Sequence, residues 1–520
     1  MARRRRAVLV SVESSNRVRL QSSIIARNAV INLLGQGLPL IVAVLTTPRV
    51  VRGLGADRYG ILAMALAVLG YFSLFDLGLG RAATRSVAAA LGNDAEHRIP
   101  SIVWTTVITQ ATAGLIAAIL LIVITPLLVE HLLNIPHGLW QEARPTFYVL
   151  AWSIPAVLVA GSFRGVLEAA QRFDLVNVVA SPLSAANFLF PFIAVSLGWK
   201  LPSIVAVLLA SRVTGALWFC LFCLRIFPAL RSRPQFHGSE VKALIRFGGW
   251  VTVSSVVSPA LVYLDRLMLG ILTTMTAVAY YSAPYEMVTR LLIVPFSLAA
   301  ILFPAFSQLH PKGDASAVDA LTATSMKFLL LAFAPLVIAL LGFSGDILRV
   351  WLGIDFARQS NHAVQILAVG LLANALAQLP YALIQGSNRP DITAKIHLSE
   401  IPLQLVTAWL FVRLWGITGA AAAWSLRTII DLILLALIAD RLKLFSFSAI
   451  RRARIPQVLL TVAVLCIVAV TISGMSDNVF LRASLDLAAL AIAGWVAWFT
   501  FLTELDRAAI ARWIPQLVGR

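Results

Sequence analysis

Apolar runs of about 20 residues recur along the whole chain, with short polar interruptions between them. Fourteen can be marked: 28–48, 59–80, 101–124, 144–163, 175–197, 201–225, 246–272, 276–303, 325–343, 361–385, 392–413, 417–439, 456–474 and 483–503. Within each run the apolar residues are continuous rather than alternating, and Leu, Ala, Val and Ile dominate. That pattern predicts helices, because only a helix or a closed barrel satisfies its own backbone in lipid and barrel strands alternate. At 1.5 Å per residue each run can cross ~30 Å of hydrocarbon. The expected fold is therefore all-α and integral to a membrane. The longest interruptions fall near 81–100, 226–245, 304–324 and 440–455. The largest outward loops are expected near 125–143 and 344–360, at about 20 residues each.

Composition supports this reading. The chain is 59% hydrophobic and 13% charged, whereas a soluble domain of this size carries about a quarter charged residues. A net charge of +18 in a soluble protein would suggest nucleic acid. In a membrane protein it reflects inward loops weighted with Lys and Arg. With the amino terminus inside, inward segments carry roughly 29 of the 42 basic residues and outward loops roughly 9. Both termini are thus expected in the cytoplasm, with an even number of spans. The opening MARRRRAVLVSV has an apolar part of only about six residues and no small-x-small site. It reads as a basic cytoplasmic arm over 1–23 and not as a cleaved signal. Cys220 and Cys223 have CxxC spacing inside an apolar run, where packing is the expected role.

The chain also repeats itself. RGVLEAAQRFD (164–174) aligns without gaps on YALIQGSNRPD (381–391), placing Arg172 on Arg389 and Asp174 on Asp391. At nearly the same offset Leu54-Gly55 meets Leu269-Gly270, and Arg212 meets Arg427. The expected plan is an amino-terminal lobe over 24–230 and a carboxy-terminal lobe over 240–441, six helices each. Two added helices follow over 450–510. Because the offset spans an even number of helices, the lobes share one orientation, a transporter plan that places the substrate path between halves.

Three motifs are recognisable. LGADRYGILAMALAVLGYFSLFDLGLGRAATR (Leu54 to Arg85), YLDRLMLG (Tyr263 to Gly270) with AYYSAPYEM (Ala279 to Met287), and WGITGAAAAW (Trp415 to Trp424) resemble polysaccharide-transport flippases of the Wzx type. These belong to the multidrug/oligosaccharidyl-lipid/polysaccharide exporter superfamily. The resemblance implies movement of a polyprenyl-diphosphate-linked oligosaccharide across the inner membrane for surface polysaccharide, with membrane lipids and other assembly proteins as partners.

Ionisable residues inside the spans are the residues' own pointer to function, since each costs about 2.5–3.5 kcal/mol at the bilayer centre unless solvated. Arg212, Arg427 and Arg290 lie deep in the sixth, twelfth and eighth spans. With Arg266 they would cost on the order of 10 kcal/mol against lipid, and a water-filled cationic cavity between the lobes would remove most of it. Arg212, Arg427 and Arg290 are the candidate diphosphate contacts. Arg427 has Asp431 four residues on and Arg290 has Glu286 four residues back, so each could equally be a helix-gluing ion pair. Arg212 has no acid within a turn. Asp265 and Arg266 suit interlobe pairing or gating. Asp76, with Arg81 and Arg85 beyond it, reads as an inner-end ion pair or gate latch. Arg49, Arg52 and Arg164 are expected to snorkel from helix ends. Gly35, Gly37 and Pro39 could bend or simply pack the first helix.

No metal spacing, phosphate loop or catalytic constellation is present in the sequence, so neither an enzyme nor a cofactor is expected. A cation-coupled drug exporter would want an acid in the first span, and Asn28 to Thr47 has none. A membrane glycosyltransferase would want a large outward loop bearing carboxylates. A peptidoglycan-precursor flippase shares the expected fold and cavity sign and stays open.

Overall fold

The computed structural model describes residues 39–72, 78–93, 95–232, 261–309, 315–387, 389–475 and 478–496, with the isolated positions 37, 234, 236–238 and 257. The basic arm, Gly35, Asp76, the first part of the seventh span and the last residues of the fourteenth lie outside them. Among the described residues all regular structure is helical. In chain order the helices are α1 (Pro39–Phe72), α2 (Leu79–Gly92), α3 (Ile99–Leu127), α4 (His137–Ala169), α5 (Phe173–Ser196), α6 (Leu201–Ile226) and α7 (261–272). They continue with α8 (Met275–Thr289), α9 (Ile293–Leu309), α10 (Ala315–Trp351), α11 (Ile354–Gly386), α12 (Pro390–Arg441), α13 (Ile455–Met475) and α14 (Val479–Val496). Among the described residues nine helical stretches are long and apolar enough to cross a membrane.

The long element α12 holds two expected spans and α1 holds the described parts of two, each pair joined through one glycine. Gly55 has φ +76°, and Gly416 has φ 55° with ψ −124°. Glycine alone reaches such angles without a Cβ penalty, so one residue replaces a loop in each. Gly198, between α5 and α6, has φ +75° and sits 218 residues before Gly416, one residue from the 217-residue offset of the repeat read from the sequence.

The expected span 276–303 is instead two helices, α8 and α9, separated by a 3-10 turn at Arg290–Leu292. Pro295 has no N–H to give to the Leu291 carbonyl, so the α-ladder is interrupted there. The expected outward loop at 344–360 is largely helix as well. The chain turns between Trp351 and Ile354, and Gly353 at φ +107° makes the turn. Hydropathy registers only the apolar middle of α10 and α11. Their polar ends stay helical through backbone hydrogen bonding and packing.

The chain divides into two compact units. Unit 1 is Met1–Gly55 with Val68–Pro259, and unit 2 is Ala56–Ala67 with Ala260–Arg520. The first junction falls at the Gly55 bend. In unit 1 the core gathers Val87 of α2, Ile102 and Val107 of α3, Phe163 of α4 and Cys223 of α6. Trp104 meets Phe163 edge-on at 6.3 Å. The Cys223 thiol donates to the Phe163 carbonyl at 3.3 Å, which is a packing role. Gly165 lets α4 approach the Gly80 carbonyl of α2, where a Cβ would stand at 3.0 Å.

In unit 2, α10, α11 and α12 form the centre. About 67% of the apolar window of α11 is buried, against 17% for α13, whose outer faces are therefore left to lipid. Hydroxyl groups tie α12 to α11: Ser425 donates to the Ile366 carbonyl at 2.9 Å and Thr428 to the Gly370 carbonyl at 3.2 Å. The segment after Gly55 packs in the same unit. Thr276 donates to Asp57, and Gly60 lies against the Met275 carbonyl with no room for a side chain.

Two short turns reproduce the internal repeat in atomic detail. Arg172 precedes α5 and clasps Asp174 through Nε and Nη2 at 3.0 and 2.8 Å. Arg389 precedes α12 and clasps Asp391 the same way at 3.1 and 3.4 Å.

Candidate functional site

Unit 1 contributes one conspicuous charge. Arg212 sits near the middle of α6, in a predominantly apolar helix. Its Nη1 is buried with no hydrogen-bond partner, and among the described residues no carboxylate forms an ion pair with it. The neighbouring helix explains the lack. Leu183 of α5 packs into the space that Gly215 leaves, three residues from Arg212 on the same face. An apolar side chain therefore occupies the place where a partner could have stood.

Unit 2 treats the repeat-related arginine differently. Arg427 is 8% exposed, and its Nη1 donates to Glu400 Oε2 at 3.3 Å. Glu400, 1% exposed, comes from the first segment of α12, across the Gly416 bend. The spacing of four that suggested an Arg427–Asp431 bond gives the weaker orientation, with the cation on the amino-terminal side. Helical side chains also lean toward the amino end, which carries Arg427 away from Asp431. Asp431 instead has Oδ1 at 3.7 Å from His397 Nε2, and His397 stacks on Tyr381 of α11. His397, Glu400 and Asp431 bring one ligand atom each within 4.8 Å of one another. Gln404, one turn beyond Glu400, is fully buried with neither amide atom bonded. His397, Glu400 and Gln404 were passed over in the sequence. The available signal was an acid and an amide four residues apart inside the apolar eleventh span.

The pair on α7 is also more connected than its adjacency suggested. Asp265 is fully buried, accepts from the Tyr281 hydroxyl of α8, and accepts from the Arg266 backbone N–H at 2.8 Å. The Arg266 guanidinium lies over the Tyr285 ring at 4.7 Å and the Tyr263 ring at 5.5 Å, with Glu286 at 4.0 Å. Cation–π contact and a carboxylate together make a buried arginine tolerable. Glu286, a possible helix partner for Arg290 by spacing, also comes within 4.0 Å of Arg266. Arg290 itself opens the 3-10 turn between α8 and α9 and is partly buried.

A further polar group lies between α10 and α14. Arg482 bonds Asp346 at 2.6 Å and the Gly342 carbonyl at 3.4 Å, and the Asp486 carboxylate lies against Gly342. Asp346 and Arg482 fall beside expected spans rather than within them, so the search for charges inside spans missed both.

These residues sort chemically into an unpartnered cation in α6, an arginine among carboxylates in α12, and an aromatic-lined arginine on α7. None of the groups holds a nucleophile activated by a base. Such an arrangement places cationic groups, one of them without a carboxylate partner among the described residues, inside apolar helices.

Comparison with known proteins agrees with that character. Residues 25–310 match the family model described as "Polysaccharide biosynthesis protein". A Shigella flexneri protein named "Putative O-antigen transporter" is 30% identical over 418 residues, covering 80% of this chain and 98% of that protein. The Haloferax volcanii protein named "Probable low-salt glycan biosynthesis flippase Agl15" is 22% identical, covering 74% of this chain and 76% of that one. Among solved structures, an inward closed lipid II flippase MurJ superposes with a TM-score of 0.68 at 15% identity, covering 91% of this chain and 99% of that chain. An inward-facing multidrug resistance MATE transporter also gives 0.68 at 15% identity, covering 82% and 99%. At that identity these two structures bear on the fold, a multi-helix membrane bundle.

Proposed function

The chain belongs to the polysaccharide biosynthesis protein family, and from that premise we propose that it moves a polyprenyl-diphosphate-linked oligosaccharide outward across the bacterial inner membrane. It does so by alternating access along a cationic path, with both termini in the cytoplasm. The observation that carries this reading is Arg212, a guanidinium inside an apolar helix that the described residues leave without a carboxylate. A buried cation in lipid is costly unless water or an anion meets it. A diphosphate suits it, because the planar guanidinium grips phosphate oxygens with two parallel hydrogen bonds. Arg290 and Arg427 are the further candidate contacts. Arg427 would engage the substrate only by releasing Glu400.

Outward movement of the anion also runs with the membrane potential. With the cytoplasm negative, about 2.3 kcal/mol is gained per charge per 100 mV. Surface polysaccharide is favoured over peptidoglycan precursor because the relative at 30% identity carries an O-antigen name, whereas the lipid II flippase is alike in fold only.

The test is complementation of a strain whose surface-glycan transporter is deleted. Arg212→Ala, present at wild-type abundance, should leave the glycan on its lipid carrier inside the cell. Arg212→Lys should restore part of the export. Normal export by Arg212→Ala would remove the anion-path reading.

A further inference from the structure

We propose that Asn374 and Gln378 on the carboxy-terminal half of α11, with Gln404 of α12 behind them, form the site that recognises sugar hydroxyls of the lipid-linked substrate. The proposal rests on the transport reading above, and it assigns the sugar end of the cargo to different residues from the diphosphate end.

The open surface of α11 changes character along its length. Near the middle Val369 is 46% exposed, an apolar surface that suits lipid. From Ala373 to Gln385 every residue is buried except Asn374, Gln378, Tyr381 and Gln385, which are partly open. All four are polar, and their spacing of four, three and four puts them on one face of the helix. An amide turned toward hydrocarbon without a partner is costly, so this face suits water or a polar ligand. At the 217-residue offset α4 carries Val157 and Gly161 in place of Asn374 and Gln378. The amide pair is a feature of unit 2.

The next helix continues the pattern. α12 carries Thr393, His397, Glu400 and Gln404 at the same spacing of four, three and four. Two rungs between the helices are closed. Gln385 Nε2 donates to Thr393 Oγ1 at 2.8 Å, and the Tyr381 and His397 rings stack 5.9 Å apart. α11 and the first segment of α12 run antiparallel across the short turn between Gly386 and Pro390. The register of the closed rungs therefore sets Gln378 across from Glu400 and Asn374 across from Gln404. The last rung is not bonded across. Gln404 is fully buried with neither amide atom bonded. Gln378 Nε2 turns back instead, to the Asn374 carbonyl and side-chain oxygens at 3.4 and 3.2 Å.

Sugar hydroxyls match what these groups offer. A hydroxyl both donates and accepts, and each uncharged amide supplies two donors and an oxygen with two lone pairs. When a hydroxyl takes the Gln378 amide, the Asn374 side-chain oxygen loses its present donor, and Gln404 Nε2 stands across from it as the replacement. Binding then exchanges one hydrogen bond for another and meets the buried Gln404 amide, whose unmade bonds are costly in the free protein. Asn374 and Gln378 are the contact residues, and Gln404 is a positioning residue.

Equilibrium binding to the purified full chain in lipid discs tests this with two probes. One is the lipid-linked glycan that accumulates in the transporter-deleted strain, and the other is bare polyprenyl diphosphate. The wild type should bind the glycan-bearing carrier about tenfold more tightly, as two added hydrogen bonds would give. Gln378→Leu and Asn374→Leu, each checked for wild-type melting, should bring that ratio under about twofold and leave affinity for the bare carrier unchanged. Gln404→Leu should narrow the ratio too, with melting no lower than wild type, because its amide bonds nothing in the free protein. Arg212→Ala should weaken both carriers alike. Equal wild-type affinity for the two carriers, or a preference that survives both α11 substitutions, would overturn the proposal. Early melting of all three amide variants would also overturn it, reducing the amides to helix glue. If the wild type binds neither carrier yet retains the glycan released from it, and Gln378→Leu does not, the sugar site stands and the transport reading falls. If it binds none of the three, both fall.

Discussion

Arg212 and Arg427, 215 residues apart in the chain, each lie deep in an apolar helix and have opposite surroundings. Around Arg212 the neighbouring helix offers Leu183 in the space beside Gly215. Around Arg427 the neighbouring helical segment offers Glu400, with His397 and Asp431 close by. The residue on the facing helical segment differs between them, Leu183 in one and Glu400 in the other. One remains a free cation in a nonpolar helix, suited to an anionic cargo. The other is paired with an acid, Glu400. The lesson is that the partner helix, more than the charged residue itself, decides what a buried charge can do.

The largest expected effect tests the free cation. Arg212→Ala should lower glycan export at least thirtyfold, corresponding to about 2 kcal/mol or more for a lost desolvated charge contact, with thermal stability near wild type. Surface-glycan blots and melting in detergent read both. Arg427→Ala should reverse that balance, because it leaves two buried carboxylates without their cation. Its loss should be about 3–5 kcal/mol of stability, seen as lower melting temperature and abundance before any export assay is run. If both variants lose export while keeping stability, the two arginines share one role and the contrast is wrong. A sharper experiment rebuilds one lobe in the image of the other. Leu183→Glu puts a carboxylate beside Arg212 and should inhibit export about tenfold by occupying the guanidinium, and Leu183→Gln should do so far less. The smallest effect concerns the bends. Ala at Gly198 or Gly416 meets no atom within 4 Å, so its cost is backbone strain alone, about 1–2 kcal/mol, read as a modest drop in melting temperature. The drop should be larger at Gly416, whose ψ of −124° lies outside the left-handed helical region.

The helical membrane fold was readable in the sequence, because hydropathy is a one-dimensional signal. Arg172–Asp174 and Arg389–Asp391 aligned as text and proved to be the same clasp in space. Partners of buried charges were less legible. Short-range spacing proposed Asp431 for Arg427, but the bond goes to Glu400, 27 residues back across a glycine bend. It also gave no hint that Glu286 comes within 4.0 Å of Arg266. Spacing reports which residues share a face of one helix, whereas a buried arginine is satisfied by whatever the next helix presents. Span ends were also misjudged wherever polar residues continued a helix past the apolar window, as at 344–360.

The Gly55 bend sends Ala56–Ala67 into unit 2, while the stretches on either side belong to unit 1. Severing the gene near residue 235, the obvious seam between lobes, would therefore give two fragments of unequal completeness. The second would lack Asp57 as the acceptor for Thr276 and Gly60 as the cover for Met275. Neither fragment should mature when made alone, and only their joint expression should restore a working transporter.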